Sequence, residues 1–429
     1  MMIWWRALPS VSRRSATVGI VALVIAILAG VFDAQRFFEA WLPTWLFLLG
    51  IALGAMANVM IHELTGGEWG DVLRPVLEAS MLTLPIVALL AVPLLFGLPH
   101  LFPWARADAG SDELLQARRW FLNTPGFVVR NLVWLAAWSA LALMLAARLR
   151  DRTEAGRRAI RRISVAGLLI YLGTVTIAAY DWIASLVPDW TSTAIGLRLG
   201  VAQFIAAFGF AVPFMVLRTG PSHRSFPAGP SHRSLRAGST QSLPPGATQP
   251  SATGARQLPP SARQSPATGQ RHQTEATAGD YRDLGNLLLT FTMMWAYIAF
   301  TQYLIVWGED LSSEISWYYP RARTSWVWLG VAVVALEFAL PVVAMLFRSL
   351  KMRGGLLATI CGLALLGQWL DCAWLTLPSL RPGGFILHWL DVVVLVAQGG
   401  VFLAVAAALV EREALPRSVA PAREASAHG

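Results

Sequence analysis

The chain has 429 residues, 55% of them hydrophobic and only 14% charged, with a net charge of +9. Soluble domains carry about 25% charged residues, so a water-surrounded globule is excluded and lipid must be the solvent for most of this surface. The two cysteines, Cys361 and Cys372, lie in one apolar segment, and no CxxCH haem-attachment motif and no cysteine cluster for zinc or iron–sulfur occurs, so the chain carries no obvious redox centre of its own.

In chain order, ten apolar segments can be drawn: 16–32, 41–61, 80–97, 128–147, 163–182, 193–217, 284–307, 325–347, 355–375 and 385–409. Each is near the ~20 residues that a spanning helix needs. The fold class is therefore an all-α integral membrane protein of about ten transmembrane helices. The N-terminus resembles a signal peptide, with Arg6, Arg13 and Arg14 before the apolar run Val18–Phe32. No convincing small-residue cleavage site follows, so the expectation is a retained first helix. Four regions result: an N-terminal transmembrane half (1–217), a Pro/Ser/Gly-rich loop (218–280), a C-terminal transmembrane half (281–410) and a tail (411–429). The loop repeats GPSHRS at 220–225 and 229–234. It has too few large apolar residues to build a core, and disorder is expected there.

Charge placement orients the spans. With the N-terminus inside, 25 of the 34 basic residues fall in the N-terminus, in alternate loops on that side and in the tail. The positive-inside rule then puts both termini in the cytoplasm. The net charge thus reports topology, and no nucleic acid is implied. Of the seven histidines only His388 falls within a span, which excludes a membrane di-haem cytochrome.

Polar residues can now be assigned a depth, since polar groups in hydrocarbon need partners or a job. Asp181, Asp371, His388 and Asp391 come from three different spans and fall at similar depth toward the outer face. They are the expected acceptors for a polar head group and its protons. Glu309, Asp310 and Glu314 follow the seventh segment and are expected above them, as a proton exit. Glu337, Tyr297 and Gln203 fall at mid-depth and make a candidate proton path. His62, Glu63, Glu68, Arg74 and Glu78 could form its inner mouth, or simply a surface salt-bridge network.

Several ordered motifs resemble one family. They are Asp181-Trp-Ile-Ala-Ser-Leu-Val-Pro-Asp-Trp-Thr-Ser-Thr193 followed by Gly196, and Asp280-Tyr-Arg-Asp-Leu-Gly-Asn-Leu-Leu288 leading into Trp295–Trp307. Phe121-Leu-Asn123 with Phe127 and Arg130, Gly66-Gly67 and Trp69 with Arg74 and Glu78, and Asp371 with Trp374 and Pro378 join them. Together, over Trp41–Leu409 without the central loop, they resemble the quinone-binding subunit 2 of quinol:cytochrome c oxidoreductase, alternative complex III. The resemblance implies an NrfD-like subunit of two four-helix bundles with flanking helices, in the inner membrane of a bacterium. It implies no prosthetic group on this chain and quinol as the substrate of the complex. The implied partners are multihaem cytochrome c and iron–sulfur subunits and a second NrfD-like membrane subunit. Two departures stand out: Asp310 where the family usually has Asn, and Glu337 where a histidine is common. A secondary transporter and a purely structural anchor are the alternatives from other classes. The transporter would call for inverted repeats, and the six-plus-four split shows none.

Overall fold

The computed structural model describes residues 10–151, 153–219, 276–310 and 312–414. The repeats of the central loop and most of the tail lie outside them. Among the described residues there is no strand, and ten helices are long and apolar enough to cross a membrane. They are α1 (Ser10–Phe32), α2 (Ala34–Thr65), α3 (Trp69–Phe96), α4 (Thr124–Leu149), α5 (Glu154–Trp182), α6 (Ile195–Thr219), α7 (Ala278–Glu309), α8 (Trp326–Leu346), α9 (Gly354–Leu380) and α10 (Trp389–Ala414). The protein is an all-α, multi-span membrane protein. The face holding the α1–α2, α3–α4, α5–α6, α7–α8 and α9–α10 connections is termed distal here. It is the side expected to be outer.

Local signals set the helix ends. Asn123 and Thr153 cap α4 and α5 by accepting the Gly126 and Gly156 N–H groups at 2.7 and 3.0 Å, satisfying donors that have no partner in the first turn. Thr277 and Asp280 form a reciprocal capping box at the start of α7. Polar residues thereby extend α7 well before the apolar run that marks it in the sequence.

α2 is the central column, buried along most of its length. Gly50 and Gly54 let it approach α6 closely: a methyl group at Gly54 would fall on the Gln203 carbonyl. Small residues four apart are a device for close helix contact where lipid gives no hydrophobic drive. α6 in turn packs on α9, where a methyl at Gly209 would lie 3.0 Å from the Cys361 carbonyl oxygen. One core therefore runs from α2 through α6 to α9, across both halves of the sequence. α1 packs on α10 through Gly19 and Gly400, and Ser12 Oγ donates to the Ala404 carbonyl at 2.8 Å.

α3 is not a regular helix. It breaks at residues 82–83 and at Ala91, beside Pro85 and Pro93. The Ala91 and Leu94 N–H groups bond to carbonyls only three residues back, at Ala88 and Ala91. The Val87 and Leu90 carbonyls are left free of those partners. Two tryptophans of α2 take them: Trp45 Nε1 donates to Val87 at 2.9 Å and Trp41 Nε1 to Leu90 at 2.8 Å. An irregular backbone is tolerated at this depth because protein donors satisfy it.

Candidate functional site

The buried acids do not gather into one cluster. Asp371, Asp181 and Asp391 pair with different arginines, Arg198, Arg130 and Arg381, and three separate ion clusters result.

The deepest lies between α6, α8 and α9. Arg198, one turn into α6, donates through Nη2 to Asp371 Oδ1 of α9 at 2.5 Å, with both side chains almost fully buried. Its guanidinium carbon lies 5.5 Å from the Trp295 ring and 5.8 Å from the Trp374 ring, so aromatic faces share its charge. Glu337 of α8 lies within electrostatic reach of both Arg198 and Asp371. It is fully buried, and neither carboxylate oxygen has a hydrogen-bond partner among the described residues. The amide nitrogen of Gln368, one turn below Asp371, is also without a partner. Glu337 sits at the centre of a π-helical turn, Ala335–Ala339, where the Leu340 N–H reaches back five residues to the Ala335 carbonyl. Pro341 follows and offers no N–H to the Glu337 carbonyl. Such π-turns frequently occur at functional sites. The opposite wall is Gly367, where an added methyl would lie 2.7 Å from the Glu337 Cγ.

The second cluster is nearer the distal face. Arg130 of α4 grips Asp181 of α5 with two bonds, 2.6 Å from Nη2 and 3.3 Å from Nε. Asn131 adds a donor at 3.4 Å, and its own oxygen accepts Trp182 Nε1 at 2.6 Å. Phe121 covers the Arg130 guanidinium at 4.1 Å. Asp181 is fully buried and fully paired.

The third cluster joins α2, the α9–α10 connection and α10. Arg381 donates to Glu39 at 2.6 Å and to both oxygens of Asp391 at 3.1 Å. Burial would lower the Arg381 pKa, but bonds to Asp391 and Glu39 outweigh it and hold the group above the usual arginine range. Asp391 also accepts the His388 N–H at 2.9 Å. His388 thus enters through its backbone. Its half-buried ring packs beside Trp389 and accepts the Leu390 N–H through Nδ1 at 3.3 Å.

The remaining expected site residues are dispersed. Glu309 and Asp310 are exposed and Glu314 is half-buried. Asp310 has a left-handed backbone (φ 50°) and closes α7 by donating its N–H to Val306. Asp and Asn are the non-glycine residues that best tolerate this conformation, which accounts for Asp where the resemblance would have Asn. Gln203 is buried and accepts the Tyr171 hydroxyl at 2.7 Å. Tyr297, expected on an internal proton path, is instead 70% exposed on the outside of the bundle. Its position on α7 faces away from the core, because Trp295, Ile298 and Gln302 occupy the buried side. At the proximal end Arg74 bridges Glu63 at 2.8 Å and Glu78 at 2.6 Å, partly exposed.

The residues missing from the sequence reading are mostly the cations. Arg198 and Arg381 were not singled out there, and Glu39 lay outside the drawn segments. Arg321 is a further case. It lies in a short connecting helix, Ser312–Arg323, and is buried with no carboxylate in contact among the described residues. It bonds the Trp374 and Leu375 carbonyls at 3.1 and 2.8 Å, Ser379 Oγ at 3.1 Å and its own Trp317 carbonyl at 2.5 Å. The Trp317 ring lies 3.4 Å below its guanidinium. The Trp374 carbonyl is available because Pro378, four residues on, has no N–H. Burial pushes the Arg321 guanidinium well below the usual arginine range, against a smaller opposing pull from Tyr318. Burial also pushes the neighbouring Tyr318 phenol up to about 12.

No protein-family model matches the chain, and no curated protein sequence matches it.

Proposed function

We propose that this chain is an integral membrane subunit of a quinol-oxidising respiratory complex, and that Glu337, Asp371 and Arg198 form its proton-handling site. The observation that carries the reading is Glu337, a fully buried carboxylate with both oxygens free of partners beside an ion pair. An ionised carboxylate in such a place is strongly disfavoured. A protonated one is neutral, and it becomes ionisable whenever the balance between Arg198 and Asp371 shifts. Two acids sharing one guanidinium can thus pass a proton between them, and they titrate as a unit. Asp181 and Asp391, each locked by arginine and further donors, are better read as fixed charges that hold helices in place.

Quinol oxidation releases two protons and two electrons. Carboxylates of this chain supply proton acceptors. The electrons pass to haem c and iron–sulfur partner subunits, since the cysteine and histidine content of this chain provides no ligand set for them. The motif resemblance to quinone-binding subunit 2 of alternative complex III supports the same assignment. The arginine distribution supports cytoplasmic termini, and the motif resemblance supports the inner membrane of a bacterium.

The test is quinol-dependent cytochrome c reduction in washed membranes from strains carrying Glu337→Gln or Asp371→Asn on the chromosome. General acid–base groups typically contribute about 10²-fold or more, so each variant is expected to lose activity on that scale while the subunit level stays normal. Unchanged activity in both would overturn the assignment and leave a structural anchor. Proton or solute uptake without quinol-dependent reduction would revive the transporter alternative.

A further inference from the structure

The proximal ends of α4 and α5 carry a dense run of positive charge. Seven arginines fall within residues 148–162, against two acids. The six described ones, Arg148, Arg150, Arg157, Arg158, Arg161 and Arg162, are all exposed. α4 and α5 are antiparallel neighbours, joined where Trp138 Nε1 donates to Thr174 Oγ1 at 2.8 Å. The short turn between them therefore gathers these cations at one end. The nearby acid Asp151 is engaged in the turn itself, where its Oδ1 accepts the Thr153 N–H at 3.1 Å and the Thr153 hydroxyl at 2.7 Å. Among the described residues, Arg150, Arg158, Arg161 and Arg162 form no ion pair. Other cations on this side bond within the chain: Arg74 to Glu63 and Glu78, and Lys351 to Asn286 at 2.7 Å.

Their placement on the helices is the second observation. With 3.6 residues per turn, Arg158 and Arg162 point within about 20° of Leu169. They head the exposed apolar face that continues through Val165, Leu169 and Leu172. On α4, Arg148 stands one turn beyond the exposed Met144, and Arg150 two turns beyond the exposed Leu143. Arg162 adjoins the apolar run 163–182, which at 1.5 Å per residue is about as long as the hydrocarbon is thick. The guanidiniums thus stand at headgroup depth, with acyl-contacting side chains directly in line below them. This arrangement opposes local helix stability. Arg158 and Arg162 are four apart, where like charges repel, and they lie toward the N-terminal end of α5, where the helix dipole disfavours cations. Membrane topology asks only for positive charge on this side, and a charged turn would satisfy it without arginines continuing up the lipid-facing side of α5.

Charge complementarity selects the occupant. Guanidinium forks match phosphate oxygens in two-bond geometry, and a basic cluster beside a transmembrane helix on the cytoplasmic side suits anionic lipid headgroups. A soluble anion would use the arginines alone, whereas a lipid uses both the arginines and the apolar face beneath. Two arginine pairs, one from each helix, exceed what the single negative charge of one phosphodiester can match. We propose that the α4–α5 turn binds a two-phosphate anionic phospholipid of the proximal leaflet, diphosphatidylglycerol in class, with Arg158 and Arg162 on one phosphate and Arg148 and Arg150 on the other. A lipid that binds only the folded hairpin stabilises it. This does not depend on quinol chemistry.

The experiment titrates the full chain, delipidated in detergent, with diphosphatidylglycerol, phosphatidylglycerol, phosphatidylcholine or inorganic phosphate. Bound lipid is read by native mass spectrometry and stabilisation by thermal unfolding. The expected result is a one-to-one diphosphatidylglycerol adduct that raises the unfolding temperature, with phosphatidylglycerol weaker and phosphatidylcholine and inorganic phosphate without effect. Arg158→Gln with Arg162→Gln should weaken the adduct at least about tenfold. Arg348→Gln with Arg353→Gln, which removes two exposed charges elsewhere on the proximal side, should leave it unchanged. Arg148→Gln with Arg150→Gln should reproduce the loss from the other helix, which keeps the test intact if the first variant fails to fold. Equal loss in the Arg348 and Arg353 variant would reduce the effect to diffuse charge and overturn the proposal. Equal binding of phosphatidylcholine or phosphatidylglycerol, or displacement of the lipid by inorganic phosphate, would overturn it as well. The readout is lipid binding, so it stands or falls separately from quinol-dependent activity.

Discussion

The Arg198–Asp371–Glu337 cluster makes a quantitative prediction about stability. Asp371→Asn removes the carboxylate that, among the described residues, is bonded to the buried Arg198 guanidinium. Breaking a buried pair by deleting one partner costs roughly 3–5 kcal/mol, because the other charge is stranded. Here Glu337 stands within reach and can ionise in its place, so the expected cost lies at the low end, about 3 kcal/mol. Glu337→Gln alone should cost less than about 1 kcal/mol. Its oxygens make no hydrogen bond to lose, and the amide is close in volume to the protonated acid. The double variant removes the reserve as well as the pair. It should cost about 5 kcal/mol, exceeding the sum of the single changes by about 1 kcal/mol or more, the scale of coupling between groups in one network. The assay is unfolding of the detergent-solubilised chain, followed by tryptophan fluorescence, for the wild type and all three variants. Strict additivity, or an Asp371→Asn cost below about 1 kcal/mol, would refute the shared-guanidinium account.

Other expectations follow from the same geometry. Trp45→Phe should cost about 1–3 kcal/mol by leaving the Val87 carbonyl without its donor in the broken helix α3, and amide exchange around Pro85–Pro93 should rise; unchanged exchange would mean the break needs no staple. Gly54→Ala should destabilise by about 1–3 kcal/mol or abolish folding, since the methyl meets the Gln203 backbone rather than a flexible side chain; thermal unfolding in detergent checks it. Tyr318, with its pKa raised to about 12 by burial, favours the folded state fully below the ordinary tyrosine pKa of about 10, and that contribution fades as pH rises through about 12. Tyr318→Phe should therefore reduce the loss of stability between about pH 10 and 12, and an unchanged alkaline profile would count against its burial.

Much of the frame could be read from the residues, for identifiable reasons. The ten spans were legible because hydrocarbon demands long apolar runs, and each run is local in sequence. Helix ends were less legible. α7 begins at Ala278 rather than near residue 284 because a polar capping box extends it. α2 begins early enough to include Glu39, which then meets Arg381 across 342 positions. The connecting helix Ser312–Arg323 has no apolar run to announce it. It is held by Arg321, whose acceptors lie 53 to 58 positions away in α9.

The candidate site divides along the same line. Composition and hydropathy by themselves determined that acids such as Asp371 and Glu337 are in the membrane and therefore need partners. Helical depth assigned Asp371 to the outer group and Glu337 to mid-depth, and so did not bring the two together. Depth along a helix carries no information about the direction in which a side chain points, or about which helix stands opposite. Only the packing of α6 against α9 gave Asp371 to Arg198. Packing likewise sent Asp181 to Arg130 and Asp391 to Arg381, and turned Tyr297 outward. Partition into lipid is a one-body property summed over each segment. Pairing is a two-body property set by close approach at glycines such as Gly54, Gly209 and Gly367, and it exists only once the helices are assembled.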